Sequence, residues 1–276
     1  MKKTLLIAGL MLASLVNANA QTVVFSDNFD DGDITPWTVT DADGDGRNWS
    51  VVQIQDNDGN PVGTPVLRSA SWQAVPLTPN NYVFSPAIDL SGFFPGTATV
   101  ELSWQVMAID ASWDLEQYTC YIGTAPDVAT MLASSTTHHE ASLAGVNTLT
   151  TRTLDVSDFL GGQMYVCFRH WGVTDQFTME IDNVSVTVSP LSTDKFFTTN
   201  FQVFPNPADN VLNVNSKTNM TLNHVELTDI NGRVVKNMNV AGVANTQLNI
   251  GDLNAGMYFL KVTSSEGTGT AKIIKK

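Results

Sequence analysis

An acidic loop near the start of the chain carries the side chains best suited to chemistry. Residues 41–46 are Asp-Ala-Asp-Gly-Asp-Gly, so three carboxylates stand at alternate positions and two glycines permit a tight turn. Such carboxylates can converge on one hard cation, as in the first half of a calcium loop. The alternative is a solvated acidic turn. Because calcium takes about six to eight oxygen ligands, Asp41, Asp43 and Asp45 would need partners from elsewhere in the chain.

The acidic loop departs from the EF-hand pattern. An EF-hand places a bidentate glutamate at its twelfth position, which here is Val52. The flanking segments also lack the periodicity of helices. The loop therefore predicts a calcium site of another kind, completed by residues remote in sequence.

The remaining reactive side chains do not form a catalytic pattern. His138-His139-Glu140 falls in a Ser/Thr-rich segment, predicted to be a loop, without the H-E-x-x-H spacing of a zinc helix. His170 continues a strand-like run, where packing is its more common role. Asp114 and Glu116 are two of many carboxylates and cannot be singled out as a glycosidase pair. With no G-x-S-x-G elbow present, we predict no enzymatic activity.

The tryptophans divide into two groups. Trp72, Trp113 and Trp171 lie in or beside predicted loops, where an aromatic face could stack on a sugar ring. The alternative for these three is packing in the core or at its rim. The others are predicted to be core residues: Trp37, Trp49 and Trp104.

Cys120 and Cys167 are the only cysteines. Both fall in strand-like runs that could pair, and a disulfide between them would need an oxidising compartment. The sequence leaves open a disulfide and a pair of buried thiols. A spacing this long, without histidine neighbours, is not typical of zinc or redox motifs.

Charge is distributed unevenly along the chain. Residues 21–190 contain 4 basic and 21 acidic side chains, a net charge of −17, whereas residues 200–276 contain 7 and 5, a net charge of +2. A surface this negative repels phosphates and attracts divalent cations. It therefore argues against nucleic acid as a partner.

The first residues have the pattern of a secretory signal peptide, predicted over 1–20. Lys2 and Lys3 precede an apolar run at 5–16 that is too short to span a bilayer, and Ala18-Asn19-Ala20 matches a cleavage site. We expect the mature chain to begin at Gln21. No later run is long enough for a transmembrane helix.

Apolar–polar alternation predicts an all-β protein. Runs such as 98–108 alternate between turn residues, and helical patterns are scarce. Strands at this spacing predict a jelly-roll β-sandwich over 21–190. Residues 191–200 are mostly polar and are predicted to be a linker. Residues 201–276 alternate again and predict a small Ig-like β-sandwich.

The C-terminal unit carries several motifs in order. It resembles the type A C-terminal sorting domain of type IX secretion substrates of Bacteroidetes. The resemblance implies that residues 201–276 engage the type IX secretion machinery and are then usually removed. An exposed last strand would offer a β-edge to that machinery. The motifs are Phe-Pro-Asn-Pro-Ala at 204–208, Leu-Asn-Val at 212–214, Asp-Ile-Asn-Gly-Arg at 229–233, Leu-Asn-Ala-Gly-Met-Tyr at 253–258 and Lys-Ile-Ile-Lys-Lys at 272–276.

The larger unit is similar to the cleaved-adhesin, or choice-of-anchor J, family of MAM-like jelly-roll domains. The similarity covers nearly the whole of residues 21–190, and the motifs occur in the same order as in the family. It rests on Asn-Phe-Asp at 28–30, the acidic loop with Trp49, Asn-Tyr-Val-Phe-Ser-Pro at 81–86, Leu-Ser-Trp at 102–104, Cys-Phe-Arg-His at 167–170 and Ile-Asp-Asn-Val at 181–184.

The cleaved-adhesin resemblance implies a calcium ion that joins the first strand, the acidic loop and the last strand of the domain. Asn81 matches a ligand of a second calcium in some members, but residues 56–59 align poorly, so a second site stays open. Some members have His in place of Arg47, a change that a backbone carbonyl ligand survives. The implied ligands are the carboxylates of Asp30, Asp41, Asp43, Asp45 and Asp182, the backbone carbonyls of Asn28 and Arg47, and a carbonyl or amide oxygen of Asn183.

These patterns together predict a calcium-stabilised, adhesin-like binding protein. It would be secreted or anchored at the outer-membrane surface after loss of the signal peptide and the sorting domain. Its ligand would be a host protein or a glycan. The alternatives are a carbohydrate-binding module and an accessory domain for a separate surface protease or glycosidase.

Overall fold

The computed structural model describes residues 21–56 and 58–276. The predicted signal peptide, residues 1–20, lies outside the described residues. Within the described part of the chain, every helix is too short or too polar to cross a membrane.

The larger unit consists of two six-stranded antiparallel sheets with a hydrophobic core. Its elements are β1 (Thr22–Asp27), β2 (Thr38–Asp41), β3 (Ser50–Val52), β4 (Val66–Ala70), β5 (Asn80–Phe84), β6 (Ile88–Asp89), β7 (Ala98–Ala108), β8 (Tyr118–Gly123), α1 (Val128–Leu132), β9 (Thr137–Glu140), β10 (Thr150–Asp155), a 3-10 turn (Ser157–Phe159), β11 (Gln163–Trp171) and β12 (Thr178–Pro190). One sheet has the order β10-β7-β12-β4-β3, with β1 also on β12, and the other has the order β2-β5-β11-β8-β9, with β6 also on β11.

The period-two alternation of β7 shows why these segments form strands. Val100, Leu102, Trp104 and Val106 point into the core and are buried, whereas Glu101 is exposed on the other face. An alternating strand buries one face and leaves the other to solvent. The all-β prediction is confirmed, and Trp37, Trp49 and Trp104 are core residues as predicted.

Strand β12 changes partner along its length. Its first part pairs with β4 through Thr178–Ile181 and its last part pairs with β1 through Val184–Val188. The register with β7 is irregular between Asp182 and Ser185. The changeover therefore brings the end of β1 beside Asp182 and Asn183.

Of the two alternatives left open for the cysteines, the structure has the pair of buried thiols and not the disulfide. Cys120 and Cys167 are free and buried on the neighbouring strands β8 and β11. Cys120 stands opposite Phe168, and Cys167 opposite Tyr121. Residues opposite each other share a face, so the two sulfurs point to opposite faces of the sheet.

We expect two free thiols per chain when the protein is denatured without reductant. Burial raises the pKa of both Cys120 and Cys167, so the native chain should react slowly with a thiol reagent. The measurement is a thiol titration with and without guanidinium. Reductant should leave the melting temperature unchanged, and fewer than two thiols in the denatured chain would contradict the strand register.

The C-terminal unit is a second, smaller β-sandwich. Its sheets have the orders β13-β14-β17 and β16-β15-β18-β19. Its elements are α2 (Thr193–Asn200), β13 (Phe201–Phe204), β14 (Val211–Ser216), β15 (Leu222–Asp229), β16 (Val234–Val243), β17 (Asn245–Asn249), β18 (Gly256–Ser264) and β19 (Thr268–Lys275).

The segment predicted to be a linker contains the helix α2. Ser192 caps it, because its hydroxyl accepts a hydrogen bond from Lys195 N. Phe196 and Phe197 are buried in the core of the smaller sandwich. Gly269 of β19 permits this packing, since a Cβ there would lie 2.8 Å from the Cα of Phe197.

The expected exposed edge of the last strand is partly covered. Asn206 donates through Nδ2 to Lys272 O at 2.9 Å and accepts from Ile274 N at 2.9 Å. Ala208 bridges to the same strand. The Phe-Pro-Asn-Pro-Ala motif thus covers one end of the β19 edge, which the sequence analysis predicted to be exposed.

Candidate functional site

The acidic loop folds so that its three carboxylates converge. Oxygens of Asp41, Asp43 and Asp45 lie within 4.8 Å of one another. Asp41 accepts hydrogen bonds from Gly44 N at 2.7 Å and from Gly46 N at 2.9 Å. Both glycines have a positive φ, near 77°, which glycine adopts without steric cost. The glycines therefore allow the backbone to wrap around the Asp41 carboxylate.

The loop shifts the pKa values of its carboxyl groups in opposite directions. Hydrogen bonds from Gly46 and Gly44 lower the pKa of Asp41. Burial raises the pKa of Asp43, although Asn80 N donates to it. Three carboxylates at this separation repel one another, and a bound cation would relieve that repulsion.

A second oxygen-rich group lies where β1 ends beside β12. Asn28 and Asn183 line the same depression there, together with Asp27. The pKa of Asp182 rises to about 6, chiefly because the carboxyl is buried and also because the charges of Asp30 and Asp27 act on it. Asn183 adopts a left-handed backbone with φ of 50° and donates to Asp182.

Asp27 was missed by the sequence reasoning. Its carboxylate accepts hydrogen bonds from Trp37 Nε1 at 2.7 Å and from Phe29 N at 2.9 Å. This anchors the end of β1 to the core. The only available signal was its position next to the Asn-Phe-Asp segment.

The predicted ligands therefore occupy two groups. In the described part of the chain, the one group of three or more carboxylates that lie within 4.8 Å of one another is that of Asp41, Asp43 and Asp45, and it includes neither Asp30 nor Asp182. Arg47 follows the loop and lines a depression apart from Asn28 and Asn183. Both groups offer only oxygen donors, the ligands that calcium prefers. The donor chemistry fits calcium, and the loop supplies fewer ligands than the ion needs.

A buried hydrogen-bond network lies between the two sheets. One carboxyl oxygen of Glu116 is 2.9 Å from His170 Nε2, and the other accepts from Ser71 Oγ at 2.8 Å and Phe177 N at 3.0 Å. His170 Nδ1 lies 2.8 Å from Ser69 Oγ. All the side chains except that of Phe177 are buried. The Ser69 hydroxyl is therefore out of reach of a substrate, and the network is structural.

Two family models match the chain. The model of the Cleaved Adhesin Domain matches residues 22–186, more than half of the chain. The chain belongs to the cleaved adhesin family. The model of the secretion system C-terminal sorting domain matches residues 202–276. The cleaved adhesin domain is thus followed by a sorting domain, and both resemblances drawn from the motifs are confirmed.

Relatives of this cleaved adhesin include large proteins of Porphyromonas gingivalis. Hemagglutinin A is 29% identical over 202 residues, which cover 66% of this chain and 9% of that protein. Gingipain R1 is 29% identical over 194 residues, covering 66% of this chain and 11% of that protein. The chain thus spans about a tenth of the length of these relatives. The crystal structure of the K3 cleaved adhesin domain of Lys-gingipain has 27% identity and a TM-score of 0.48, covering 61% of this chain and 99% of that chain.

The sorting domain establishes where this cleaved adhesin acts. A C-terminal sorting domain joined to an adhesin domain identifies a secreted, cell-surface-attached protein that the type IX secretion machinery handles.

The tryptophans predicted to bind a ligand occupy different places in the adhesin domain. Trp72 and Trp113 line one cleft. Trp171 belongs to strand β11 instead of a loop, with the Arg169 guanidinium 4.4 Å above its ring and its Nε1 donating to Thr119 Oγ1 at 3.0 Å. The structure therefore separates Trp171 from the other two.

The histidine pair of the adhesin domain lies in a strand and not in the predicted loop. Both histidines are in β9. His139 Nδ1 is 2.9 Å from Thr119 Oγ1, and His138 packs edge-on against Trp104 of β7. Glu140 is bound by Arg152 through Nε at 3.0 Å and Nη2 at 2.6 Å. The polar atoms of His139 and Glu140 are thus held by residues of neighbouring strands.

Proposed function

We propose that this protein is a calcium-stabilised surface adhesin, whose adhesin domain binds a partner and whose sorting domain directs export. The observation that carries the proposal is the convergence of Asp41, Asp43 and Asp45 in one loop of a cleaved adhesin domain. No catalytic function is assigned, because the Ser-His-Glu constellation found among the described residues is buried away from solvent.

The proposed calcium would act on stability. Asp41, Asp43 and Asp45 would hold the ion from the loop, with the Arg47 carbonyl beside them. Further oxygens would come from Asn28 and Asp30, which follow β1, and from Asp182 and Asn183 of β12. An ion held by the first and last strands of a domain favours the folded chain, since the unfolded chain cannot assemble the ligands.

Calcium is expected to raise the melting temperature of the adhesin domain. A ligand at about 100 times its Kd adds about 2.7 kcal/mol, which corresponds to roughly 5–10 °C for a domain of this size. The measurement is differential scanning calorimetry of the full chain after exhaustive chelation, with calcium or with magnesium restored. Magnesium is the control, because it demands a smaller octahedral shell. An identical melting curve in chelator and in calcium would refute the proposed site.

The Trp72–Trp113 cleft supports one alternative function, a carbohydrate-binding module. Trp113 and Trp72 are 50% and 38% exposed, and exposed indole faces stack on sugar rings. An accessory role beside a separate surface protease or glycosidase would use the same kind of surface. A glycan array with the wild-type chain and with Trp113→Ala distinguishes sugar binding from protein binding. Saturable sugar binding that depends on Trp113 would favour the module.

A further inference from the structure

The cleft between Trp72, Trp113 and Phe177 combines exposed aromatic rings with uncompensated negative charge. It is lined also by Asp110, Asp175 and Gln176. The rings of Trp72 and Phe177 lie 6.0 Å apart and tilted at 48°. The cleft encloses about 320 Å³, which is at the lower end of small-molecule sites. Its size suits one side chain better than an extended oligomer.

Hydrogen bonds to the buried side chains of Glu116 and Ser71 hold the walls of the cleft in place. Glu116 accepts a hydrogen bond from Phe177 N, and Ser71 Oγ accepts one from Gln176 N at 3.1 Å. Gln176 Oε1 in turn accepts from Leu115 N at 3.2 Å, which ties the loop that carries Trp113 to the opposite wall. A buried network thus fixes three loops, so the cleft is preformed. Preformed sites bind with a smaller entropic cost.

Among the described residues that line the cleft, no cationic side chain balances its negative charges. Among the described residues, the Asp110 carboxylate accepts only a local hydrogen bond, from Ser112 N at 2.8 Å. Asp175 forms no side-chain hydrogen bond or ion pair with any residue that the structure describes, and the lining contains no lysine or arginine. The surrounding domain carries a net charge of −17. A neutral sugar would gain stacking and leave both carboxylates uncompensated, whereas a cation satisfies rings and carboxylates together.

We propose that this cleft binds a lysine or arginine side chain presented by a partner protein, with Trp72 and Trp113 contacting the cation and Asp110 and Asp175 balancing its charge. The proposal rests on the proposed adhesin function and names the chemistry of its ligand. A cation over a tryptophan face is attracted by the ring quadrupole. Nearby carboxylates increase that attraction and repel acidic partners.

The test is a titration of the full chain against dye-labelled Gly/Ser peptides that carry three arginines, three lysines or three citrullines, followed by fluorescence anisotropy at 0.15 M salt. Citrulline keeps the shape of arginine and lacks its charge. We expect binding of a cationic peptide and none of the citrulline peptide. Trp113→Ala should weaken binding about tenfold, because a desolvated cation–aromatic contact contributes on the order of 1–2 kcal/mol. Asp175→Asn should weaken it about three- to fivefold.

Two matched variants separate the cleft from general attraction to an acidic surface. Phe94→Ala removes another aromatic ring, 52% exposed, outside the cleft. Asp158→Asn removes another exposed carboxylate. Both should bind like the wild-type chain. Equal losses in Asp158→Asn and Asp175→Asn, or full binding by Trp113→Ala, would overturn the proposal.

Failure of the cationic-ligand proposal can be distinguished from failure of the proposed adhesin function. Sugar oligomers binding in a Trp113-dependent way, with no binding of the cationic peptides, would assign the cleft to carbohydrate and overturn the cationic ligand. Calcium-dependent melting together with cleft-independent peptide binding would overturn only the cleft. Loss of calcium stabilisation with intact cleft binding would overturn only the calcium proposal.

Discussion

Replacing Glu116 with alanine is expected to lower the melting temperature of the adhesin domain by roughly 6–20 °C, since breaking a buried polar pair costs about 3–5 kcal/mol. The substitution removes the acceptor for Ser71 Oγ and Phe177 N and the partner of His170 Nε2. These groups are shielded from water, so they cannot replace the lost hydrogen bonds. The measurement is thermal unfolding of the full chain.

Glu116→Gln and Glu101→Ala serve as the comparisons for this variant. The glutamine keeps one carbonyl oxygen for Ser71 and Phe177 and should cost less than alanine. Glu101 is exposed on β7, so its truncation should change the melting temperature by only about 1–2 °C. A loss in Glu116→Ala no larger than in Glu101→Ala would show that the network does not stabilise the domain. Because Glu116 and His170 are in contact, the double variant Glu116→Ala/His170→Ala should cost less than the sum of the single variants.

Features that depend on neighbours in sequence were predictable. The acidic loop draws its carboxylates from within five residues, and the strand 98–108 shows its alternation directly. The helix α2 was not predicted, because its mostly polar composition is typical of a linker. Its capping serine and its two phenylalanines, which are buried in the smaller sandwich, were too weak a signal alone. Tertiary packing, and not propensity, makes that short helix stable.

Features that depend on strand register were not predictable. Cys120 and Cys167 lie on neighbouring strands, but a register offset of one residue turns them to opposite faces. The same limitation hid Glu116, since its partners Ser71, His170 and Phe177 come from three other segments. Nothing in one segment indicates which of its carboxylates will be buried beside another.

Asp182→Asn is expected to change the stability of the adhesin domain in opposite directions with and without calcium. Burial and the charges of Asp30 and Asp27 raise the pKa of Asp182 above its ordinary value. An acid whose pKa is raised on folding disfavours the folded chain wherever it is ionised, so at neutral pH its charge is destabilising. In the presence of a chelator, the neutral asparagine should therefore raise the melting temperature by roughly 2–8 °C, which corresponds to about 1–2 kcal/mol.

In calcium, the wild-type chain should have the higher melting temperature of the two proteins. The ion would bind the Asp182 carboxylate, whose charge destabilises the folded chain when no ion is bound. The wild-type chain should gain most of the proposed stabilisation and Asp182→Asn little of it. Asp158→Asn, an exposed carboxylate remote from the proposed ligands, should follow the wild-type chain in both buffers. A full calcium gain in Asp182→Asn, with that gain lost in Asp43→Asn, would show that the loop holds the ion without the last strand. Calcium would then stabilise the loop alone, and the link between β1 and β12 would depend on the strand pairing already present.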